Sequence, residues 1–239
     1  MPLQNYELSL IIVSDKEFNN WLELVAHVHE TLERLQLSYE ILVAAKPDKN
    51  TRQLIERNLC TLVSASSENY GILLRTAIQQ ASGGYILTID ADQTQPGDLI
   101  RRLWEARGAA EITIGSRYRQ GGIADMPAAR KLLSRFLNLL FSRGLDLQVR
   151  DMSSAFRVYK SQVLKTLVLE SQDYEVLQEI LVQALMAGYR IGEIPFHYRS
   201  RDSAFSRAWQ FGRSYLRAFA RLWKLRNSIA SADYDARAY

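Results

Sequence analysis

The sequence has a single cysteine, Cys60, among its 239 residues. One cysteine excludes an intramolecular disulfide framework, and a reducing, cytoplasmic setting is therefore expected. The chain also lacks any run of about 18 apolar residues, so no transmembrane helix is expected. Its first residues lack the basic start of a signal peptide. With 12 glycines and five prolines, the chain is neither collagen-like nor of low complexity.

Charge of both signs is present, but it is unevenly distributed. The net charge is +4, and residues 199–226 alone contain eight basic residues and one acidic residue. A basic end on a near-neutral body predicts a local anionic partner. Nucleic acid is not the expected partner, since no RNA-binding motif or helix-turn-helix pattern is evident. Arginines outnumber lysines by 23 to 7. The planar guanidinium of arginine binds phosphate and carboxylate groups through two hydrogen bonds at once, which the ammonium of lysine does not.

Apolar segments of strand length alternate with segments of helical periodicity. Strands are predicted at 8–13, 39–45, 59–64, 85–89 and 111–115, and helices at 21–35, 51–58, 71–81 and 98–107. The second half is less regular, with helices predicted at 127–142, 174–187 and 206–226, and strands at 154–159 and 190–198. Continuous apolar strands that alternate with helices predict an α/β fold with a mostly parallel sheet. In such sheets ligands bind beyond the carboxyl ends of the strands.

The sharpest chemical feature is the pair Asp90 and Asp92, directly after the predicted strand 85–89. Carboxylates two residues apart at an extended strand end point the same way. Such oxygen ligands suit Mg²⁺ or Mn²⁺, which in turn binds a diphosphate. The other interpretation is that both aspartates cap the turn that Pro96 and Gly97 indicate. The spacing alone leaves both interpretations open.

Six segments, in order, resemble the family 2 glycosyltransferases of the GT-A fold, and especially the dolichyl-phosphate and polyprenyl-phosphate sugar synthases. The similarity runs from about residue 8 to about residue 217. The six segments are Asp90-Ala91-Asp92 with Pro96; Gly115-Ser116-Arg117-Tyr118; Gly121-Gly122; Arg130, Ser134 and Asn138 at helical spacing; 151–157; and 188–195. The resemblance implies a GT-A-like, Rossmann-type three-layer sandwich over residues 1–200. The sequence pattern predicts a basic amphipathic helix and polar tail over 201–239, packed on this domain or continuous with it.

The resemblance also implies an enzymatic activity, the transfer of a hexose from a nucleoside-diphosphate sugar to a polyprenyl phosphate. The transfer would depend on Mg²⁺ or Mn²⁺ and invert the anomeric carbon. A phosphate monoester is already anionic near neutral pH, since its second pKa is about 6, and it needs no general base. It needs positioning and charge neutralisation instead. A hydroxyl acceptor is the alternative, and it would require a carboxylate base, for which Asp151 is the candidate.

Roles for single residues follow from the same resemblance. Asp92 is expected to be the principal metal ligand and Asp90 a ligand of the metal or the donor. Asp15 and Glu17 are expected to assist donor binding. The residues expected to hold the acceptor phosphate are Arg117, Arg130, Ser134 and Arg201. Other interpretations are an exposed helical Arg130 and a structural ion pair between Arg157 and Asp151.

The chain departs from the family pattern on the side expected to bind the base. Where the family usually carries an acidic pair after its second strand, this chain has Ala44-Ala45-Lys46-Pro47, with Asp48 offset beyond them. Only Glu17 matches the usual motif after the first strand. The family also has a basic motif near the end of the similarity, which matches residues 201–207 here. In that motif Ala204 stands in place of glycine. A second hypothesis is therefore a GT-A-fold subunit that binds or regulates without transferring sugar.

The segment 206–226 places Trp209, Leu216, Phe219, Leu222 and Trp223 on one broad side, and arginines recur every fourth residue on another. This pattern is typical of helices at a membrane interface. It predicts peripheral contact with the inner face of the membrane. The alternative is that the apolar side packs on the catalytic domain or on a second copy in a homo-oligomer, with the arginines still facing lipid.

Overall fold

The computed structural model describes residues 6–63, 65, 67–92, 96–145, 147–199, 219–224 and 226–227. The strands are β1 (Leu8–Ser14), β2 (Tyr39–Ala45), β3 (Thr61–Val63), β4 (Tyr85–Asp90), β5 (Ile112–Ser116), β6 (Ile123–Asp125), β7 (Arg157–Lys160), β8 (Ile191–Pro195) and β9 (His197–Arg199). The helices are α1 (Trp21–Arg34), α2 (Lys49–Glu56), α3 (Tyr70–Gln80), α4 (Gly97–Ala106), α5 (Ala128–Gly144), α6 (Ser161–Thr166) and α7 (Val176–Met186).

Seven strands form one sheet in the order β3-β2-β1-β4-β7-β5-β8. All neighbouring pairs are parallel except those of β7, which runs antiparallel to both β4 and β5. The carboxyl ends of β1, β4 and β5 therefore meet at one edge of the sheet. Because β7 is reversed, the loop that precedes it reaches the same edge. The predicted α/β fold with a mostly parallel central sheet is confirmed.

Helices cover both faces of this sheet, because β1 is buried at six of its seven positions and sends alternate side chains to opposite faces. Leu10 and Ile12 lie in a core with residues of α1, α2 and α4. Ile11 and Val13 lie in a second core with residues of α3, α5 and α7. Full burial of each such side chain contributes about 1.5–3 kcal/mol. The predicted three-layer sandwich is therefore present.

The predicted strand 190–198 is in fact two strands that belong to different sheets. β8 pairs with β5, whereas β9 pairs with β6 in a separate two-stranded sheet. The switch from one sheet to the other follows Pro195. Proline has no backbone N–H, so it cannot hydrogen-bond to neighbouring strands on both sides. The predicted strand 154–159 begins later, at Arg157. Two short elements, β6 and α6, were not predicted, because three to six residues carry little periodic signal.

Near the C-terminus, the described segment 219–224 is helical and packs on the domain. Leu222 is fully buried in the same core as α5, and the Phe219 ring meets the Phe141 ring edge-on at 5.4 Å between centroids. This supports the predicted alternative in which the apolar side packs on the domain. The remainder of the predicted helix, 206–218, lies outside the described residues. Among the helices that can be described, none is both long and apolar enough to cross a bilayer.

Candidate active site

The aspartate pair lies at the carboxyl end of β4, in the middle of the sheet. Asp90 is the last residue of β4, and Asp92 lies in the turn that follows. Burial, followed by the negative charge of Asp92, raises the pKa of Asp90 to about 8. Two carboxylates close enough to oppose each other's ionisation form a site that a cation stabilises.

Two stacked tyrosines hold the carboxylates at this edge. The Tyr70 hydroxyl donates to Asp90 Oδ1 at 2.9 Å, and the Tyr174 hydroxyl donates to Asp15 Oδ1 at 2.9 Å. The two rings stack with centroids 4.2 Å apart. Burial raises the pKa of both phenols well above the usual range, so both remain protonated donors. Sequence reasoning missed both tyrosines, because neither belongs to a local motif and Tyr174 is 159 residues from its partner.

Arg117 lies directly after β5, and three of its nitrogens donate hydrogen bonds to Asp151. Its backbone N–H and Nε donate to Asp151 Oδ2 at 2.8 Å each, and one terminal nitrogen donates to Oδ1 at 2.7 Å. The Asp151 side chain is fully buried and that of Arg117 is 9% exposed. Burial alone lowers the pKa of Arg117, but the charge and hydrogen bonds of Asp151 raise it above its ordinary value. The guanidinium is therefore a fixed positive charge.

Helix α5 joins this ion pair through a hydrogen-bond network. Ser134 accepts a hydrogen bond from the Tyr118 hydroxyl at 2.8 Å. One turn later, Asn138 donates to Ser153 Oγ at 3.1 Å, and the same oxygen accepts from Arg117 at 2.7 Å. The structure thus brings Ser134 and Arg117 to one cluster of polar side chains, and a shared ligand for the two remains a prediction.

The carboxylate and arginine groups lie at the same edge of the sheet, at the ends of β4 and β5. The positive charge of Arg117 is near enough to lower the pKa of Asp90, against the larger effects that raise it. Glu17 is exposed in the loop between β1 and α1. The side chain of Arg130, in the first turn of α5, and all of Arg201 lie outside the described residues.

The donor set at Asp90 and Asp92 fits a hard divalent cation. Both ligands are carboxylates, and one has its pKa raised by burial and by the other. Within the described ranges no third acidic, histidine or cysteine side chain completes an all-protein cluster. Mg²⁺ is usually bound through one or two carboxylates, with phosphate and water oxygens as the other ligands. Two carboxylates are therefore a sufficient protein contribution.

The family usually carries an acidic pair after its second strand, where it would bind the base of the nucleotide. This chain has no acidic side chain at the two matching positions. Ala44 and Ala45 are buried at the end of β2, and Lys46 pairs with Glu68 at 2.9 Å. Asp48 is the N-cap of α2, where its Oδ1 accepts from the Thr51 N–H at 2.7 Å. The offset Asp48 is therefore engaged in a capping box.

The suggested ion pair between Arg157 and Asp151 is not formed. Arg157 is fully buried, but its three donor nitrogens bind the backbone carbonyls of Ser154, Leu177 and Met152 at 2.7–2.8 Å. Arg157 begins β7, and its side chain fastens the loop that precedes this strand to helix α7. Asp151 pairs with Arg117 instead.

Three curated proteins are similar to this chain. Dolichol-phosphate mannosyltransferase from Pyrococcus furiosus is 28% identical over 236 residues, covering 93% of this chain and 65% of that protein. Low-salt glycan biosynthesis hexosyltransferase Agl6 from Haloferax volcanii is 26% identical, covering 82% and 48%. Undecaprenyl-phosphate mannosyltransferase from Micrococcus luteus is 26% identical, covering 58% and 65%. The chain spans about half to two thirds of the length of these curated relatives.

The fold is shared with a solved enzyme of known ligands. Glucosyl-3-phosphoglycerate synthase from Mycobacterium tuberculosis, solved with Mn²⁺, UDP and glucosyl-3-phosphoglycerate, superposes with a TM-score of 0.69 at 13% identity. The match covers 91% of this chain and 80% of that one, and it confirms the expected GT-A-like fold. The sequence profile described as Glycosyl transferase family 2 matches residues 9–168, about two thirds of the chain. The chain belongs to glycosyl transferase family 2.

Proposed function

We propose that this protein transfers a hexose from a nucleoside-diphosphate sugar to a polyprenyl phosphate. The observation that carries this proposal is the juxtaposition of two kinds of group at one sheet edge. Asp90 and Asp92 lie at the end of β4, and the fixed guanidinium of Arg117 lies at the end of β5. The named activities of two relatives, on dolichol phosphate and undecaprenyl phosphate, support the choice of acceptor.

Asp90 and Asp92 would hold the metal, with Asp92 as the principal ligand and Asp15 beside them. Mg²⁺ or Mn²⁺ bound there would neutralise the charge of the departing nucleoside diphosphate. Tyr70 and Tyr174 hold Asp90 and Asp15 in place, so the ligands are oriented before the donor arrives. The Mn²⁺ in the solved structure of glucosyl-3-phosphoglycerate synthase supports this choice of ion.

The acceptor phosphate would be bound by Arg117 and Ser134, together with Arg130 and Arg201. Arg117 contributes a permanent positive charge, because Asp151 fixes its side chain through Nε and one terminal nitrogen. The other terminal nitrogen, Nη1, takes no part in those bonds. A phosphate held there needs no deprotonation, and its oxygen attacks the anomeric carbon in a single inverting displacement.

The hydroxyl-acceptor alternative has less support from the same geometry. It requires a carboxylate base, and Asp151 was the candidate. Both Asp151 oxygens accept hydrogen bonds from Arg117, and the side chain is fully buried. Asp151 thus suits the positioning of Arg117 better than the removal of a proton from an acceptor.

Peripheral membrane contact through 201–239, a cytoplasmic location at the inner face and a homo-oligomeric state are part of the proposal. The support for the membrane contact is the strong basic bias of residues 199–226. Arg221 is not expected to contact lipid, because it is paired within the domain. It donates to Glu170 at 3.2 Å and to the buried Glu179 at 2.9 Å.

The test measures binding first and transfer second. A thermal-shift panel of nucleoside diphosphates and their sugars is run with and without Mn²⁺. A ligand at one hundred times its dissociation constant stabilises the native state by about 2.7 kcal/mol, which is readily visible. Radiolabelled sugar transfer to a polyprenyl phosphate in detergent follows, with Asp92→Asn as the inactive control. Absence of any Mn²⁺-dependent shift would favour the non-catalytic hypothesis.

A further inference from the structure

The loop between α6 and α7, residues 167–175, is held by one buried carboxylate. Glu179, in the first turn of α7, is 1% exposed. Its oxygens accept hydrogen bonds from the backbone N–H of Glu170, at 3.1 and 3.2 Å, and from that of Ser171, at 2.8 Å. A buried carboxylate is costly unless a positive charge lies beside it. The hold of Glu179 on the loop therefore depends on a neighbouring cation.

Arg221, in the described C-terminal segment 219–224, supplies that positive charge. It donates to Glu179 Oε1 at 2.9 Å and to the hydroxyl of Ser171. Its second carboxylate partner is Glu170, at 3.2 Å, whose side chain is 72% exposed. Because water screens Glu170 but not Glu179, the contact with Glu179 is the stronger of the two. The side chain of Arg221 thus fastens the C-terminal segment to the loop.

The loop in turn caps helix α3. The first N–H groups of a helix have no partner within it, and the side chain of the N-cap residue Asn69 makes no capping bond. The Gln172 carbonyl accepts from the N–H groups of Gly71 and Ile72 instead, at 2.8 and 3.2 Å. The two backbones are so close that a Cβ at Gly71 would lie 2.6 Å from the Ser171 carbonyl oxygen. A displacement of the loop would therefore displace the first turn of α3.

That first turn and the loop each carry one of the two tyrosines of the site. Tyr70 is the first residue of α3, and its hydroxyl donates to Asp90. Tyr174 lies near the end of the loop, stacks on Tyr70 and donates to Asp15. Both hydroxyls that orient the carboxylates are therefore positioned by the same loop.

We infer that Arg221 and Glu179 are positioning residues for the carboxylate site. They act through the loop and its two tyrosines, and they couple the C-terminal segment to cation binding. Because such coupling is reciprocal, a cation bound at the carboxylates strengthens the docking of residues 219–224 by the same factor. The inference rests on the proposed function only for the assignment of Asp90 and Asp92 as cation ligands.

Calorimetric titration of the full chain with Mn²⁺ measures this coupling. Arg221→Met keeps most of the apolar stem and removes the hydrogen bonds, and it is expected to weaken Mn²⁺ binding by about 2- to 30-fold. Arg221→Lys retains a positive charge without the planar fork, so it should restore part of the loss. Circular dichroism of each variant establishes that it is folded at the temperature of the titration.

Two matched variants separate positioning from a loss of stability. Glu170→Gln removes the exposed partner of Arg221 and should bind Mn²⁺ as the wild type does. Leu32→Ala truncates a fully buried side chain of α1, in the core on the other face of the sheet. It should lower the urea midpoint without changing the affinity for Mn²⁺. If Arg221→Met also lowers the midpoint and leaves that affinity unchanged, the contact is structural only and the inference fails.

A double-mutant cycle tests whether Arg221 acts through the tyrosines. Tyr70→Phe removes the hydroxyl that the loop is inferred to position. The double variant with Arg221→Met should therefore lose less Mn²⁺ affinity than the product of the two single losses. Losses that multiply would show that the two residues act independently, and they would overturn the inference.

Hydrogen exchange gives a readout that needs no metal. In the metal-free protein, Arg221→Met should speed exchange at the Gly71 and Ile72 amides more than at Val28 of α1, because only the first two are bonded to the loop. In the wild type, added Mn²⁺ should slow exchange in residues 219–224. Unchanged exchange at Gly71 and Ile72 in the variant would contradict the positioning role.

These measurements also separate the inference from the proposed function. If the wild type binds Mn²⁺ but transfers no sugar, the proposed function fails and the calorimetry still decides the role of Arg221. If the wild type binds no Mn²⁺, the proposed function fails as well, and exchange at Gly71 and Ile72 decides whether Arg221 positions the loop.

Discussion

Replacing Asp151 with asparagine tests the electrostatic arrangement on which the proposed acceptor site depends. Asparagine keeps the shape of the side chain but removes its charge, so Arg117 would remain buried without its counter-charge. The pair is almost completely desolvated, with side chains 9% and 0% exposed. Removing one partner of such a pair destabilises a protein by about 3–5 kcal/mol, because an uncompensated charge stays buried.

Urea unfolding followed by fluorescence measures this change. A domain is stable by about 5–15 kcal/mol, so Asp151→Asn is expected to remove a large fraction of the stability. With a slope near 2–3 kcal/mol per molar urea, the midpoint should fall by about 1–2 M. The slope itself should be unchanged if the native state remains compact. A loss smaller than about 1 kcal/mol would refute the reasoning.

Two further variants show whether the effect comes from the buried charge. Glu105→Gln removes a carboxylate that pairs with Arg101 at 2.6 Å on the solvent side of α4, where both side chains are about half exposed, and it should leave the midpoint unchanged. The double variant Arg117→Met with Asp151→Leu should be more stable than Asp151→Asn alone, because no charge is left without a partner. A double variant as unstable as the single one would point to packing instead.

Three other predictions follow from single contacts. Tyr70→Phe should weaken Mn²⁺ binding, measured by calorimetry, by about 10- to 150-fold, since a hydrogen bond to a charged group contributes about 1.5–3 kcal/mol; unchanged affinity would contradict its positioning role. In the metal-free protein the pKa of Asp90 is raised to about 8, so folding takes up a proton between about pH 4 and pH 8, and stability falls as pH rises through this range. Asp90→Asn should flatten that decline in urea midpoints measured across the range. Gly71→Ala should lower the free energy of unfolding by about 1–3 kcal/mol, because its Cβ would lie 2.6 Å from the Ser171 carbonyl oxygen, whereas Gly108→Ala has nothing within 4 Å and should not.

The sheet was predictable because its strands are short apolar runs separated by helical periodicity. β1 is buried at six of seven positions, which is the pattern of a parallel strand covered on both faces. The reversed direction of β7 was not predictable, since its four residues pair with β4 and β5, which are distant in sequence. That reversal is what brings Asp151 to the edge where β4 and β5 end.

The charged residues of the site were identified from local motifs, but their partners were not. The bond between Arg117 and Asp151 joins residues 34 positions apart, and the bond between Tyr174 and Asp15 joins residues 159 apart. A structural ion pair between Arg157 and Asp151 was one interpretation of the sequence, and that pairing was wrong. The packing of α7 against β7 determines the partners of Arg157. The backbone carbonyls of Leu177, Ser154 and Met152 accept the hydrogen bonds of its guanidinium.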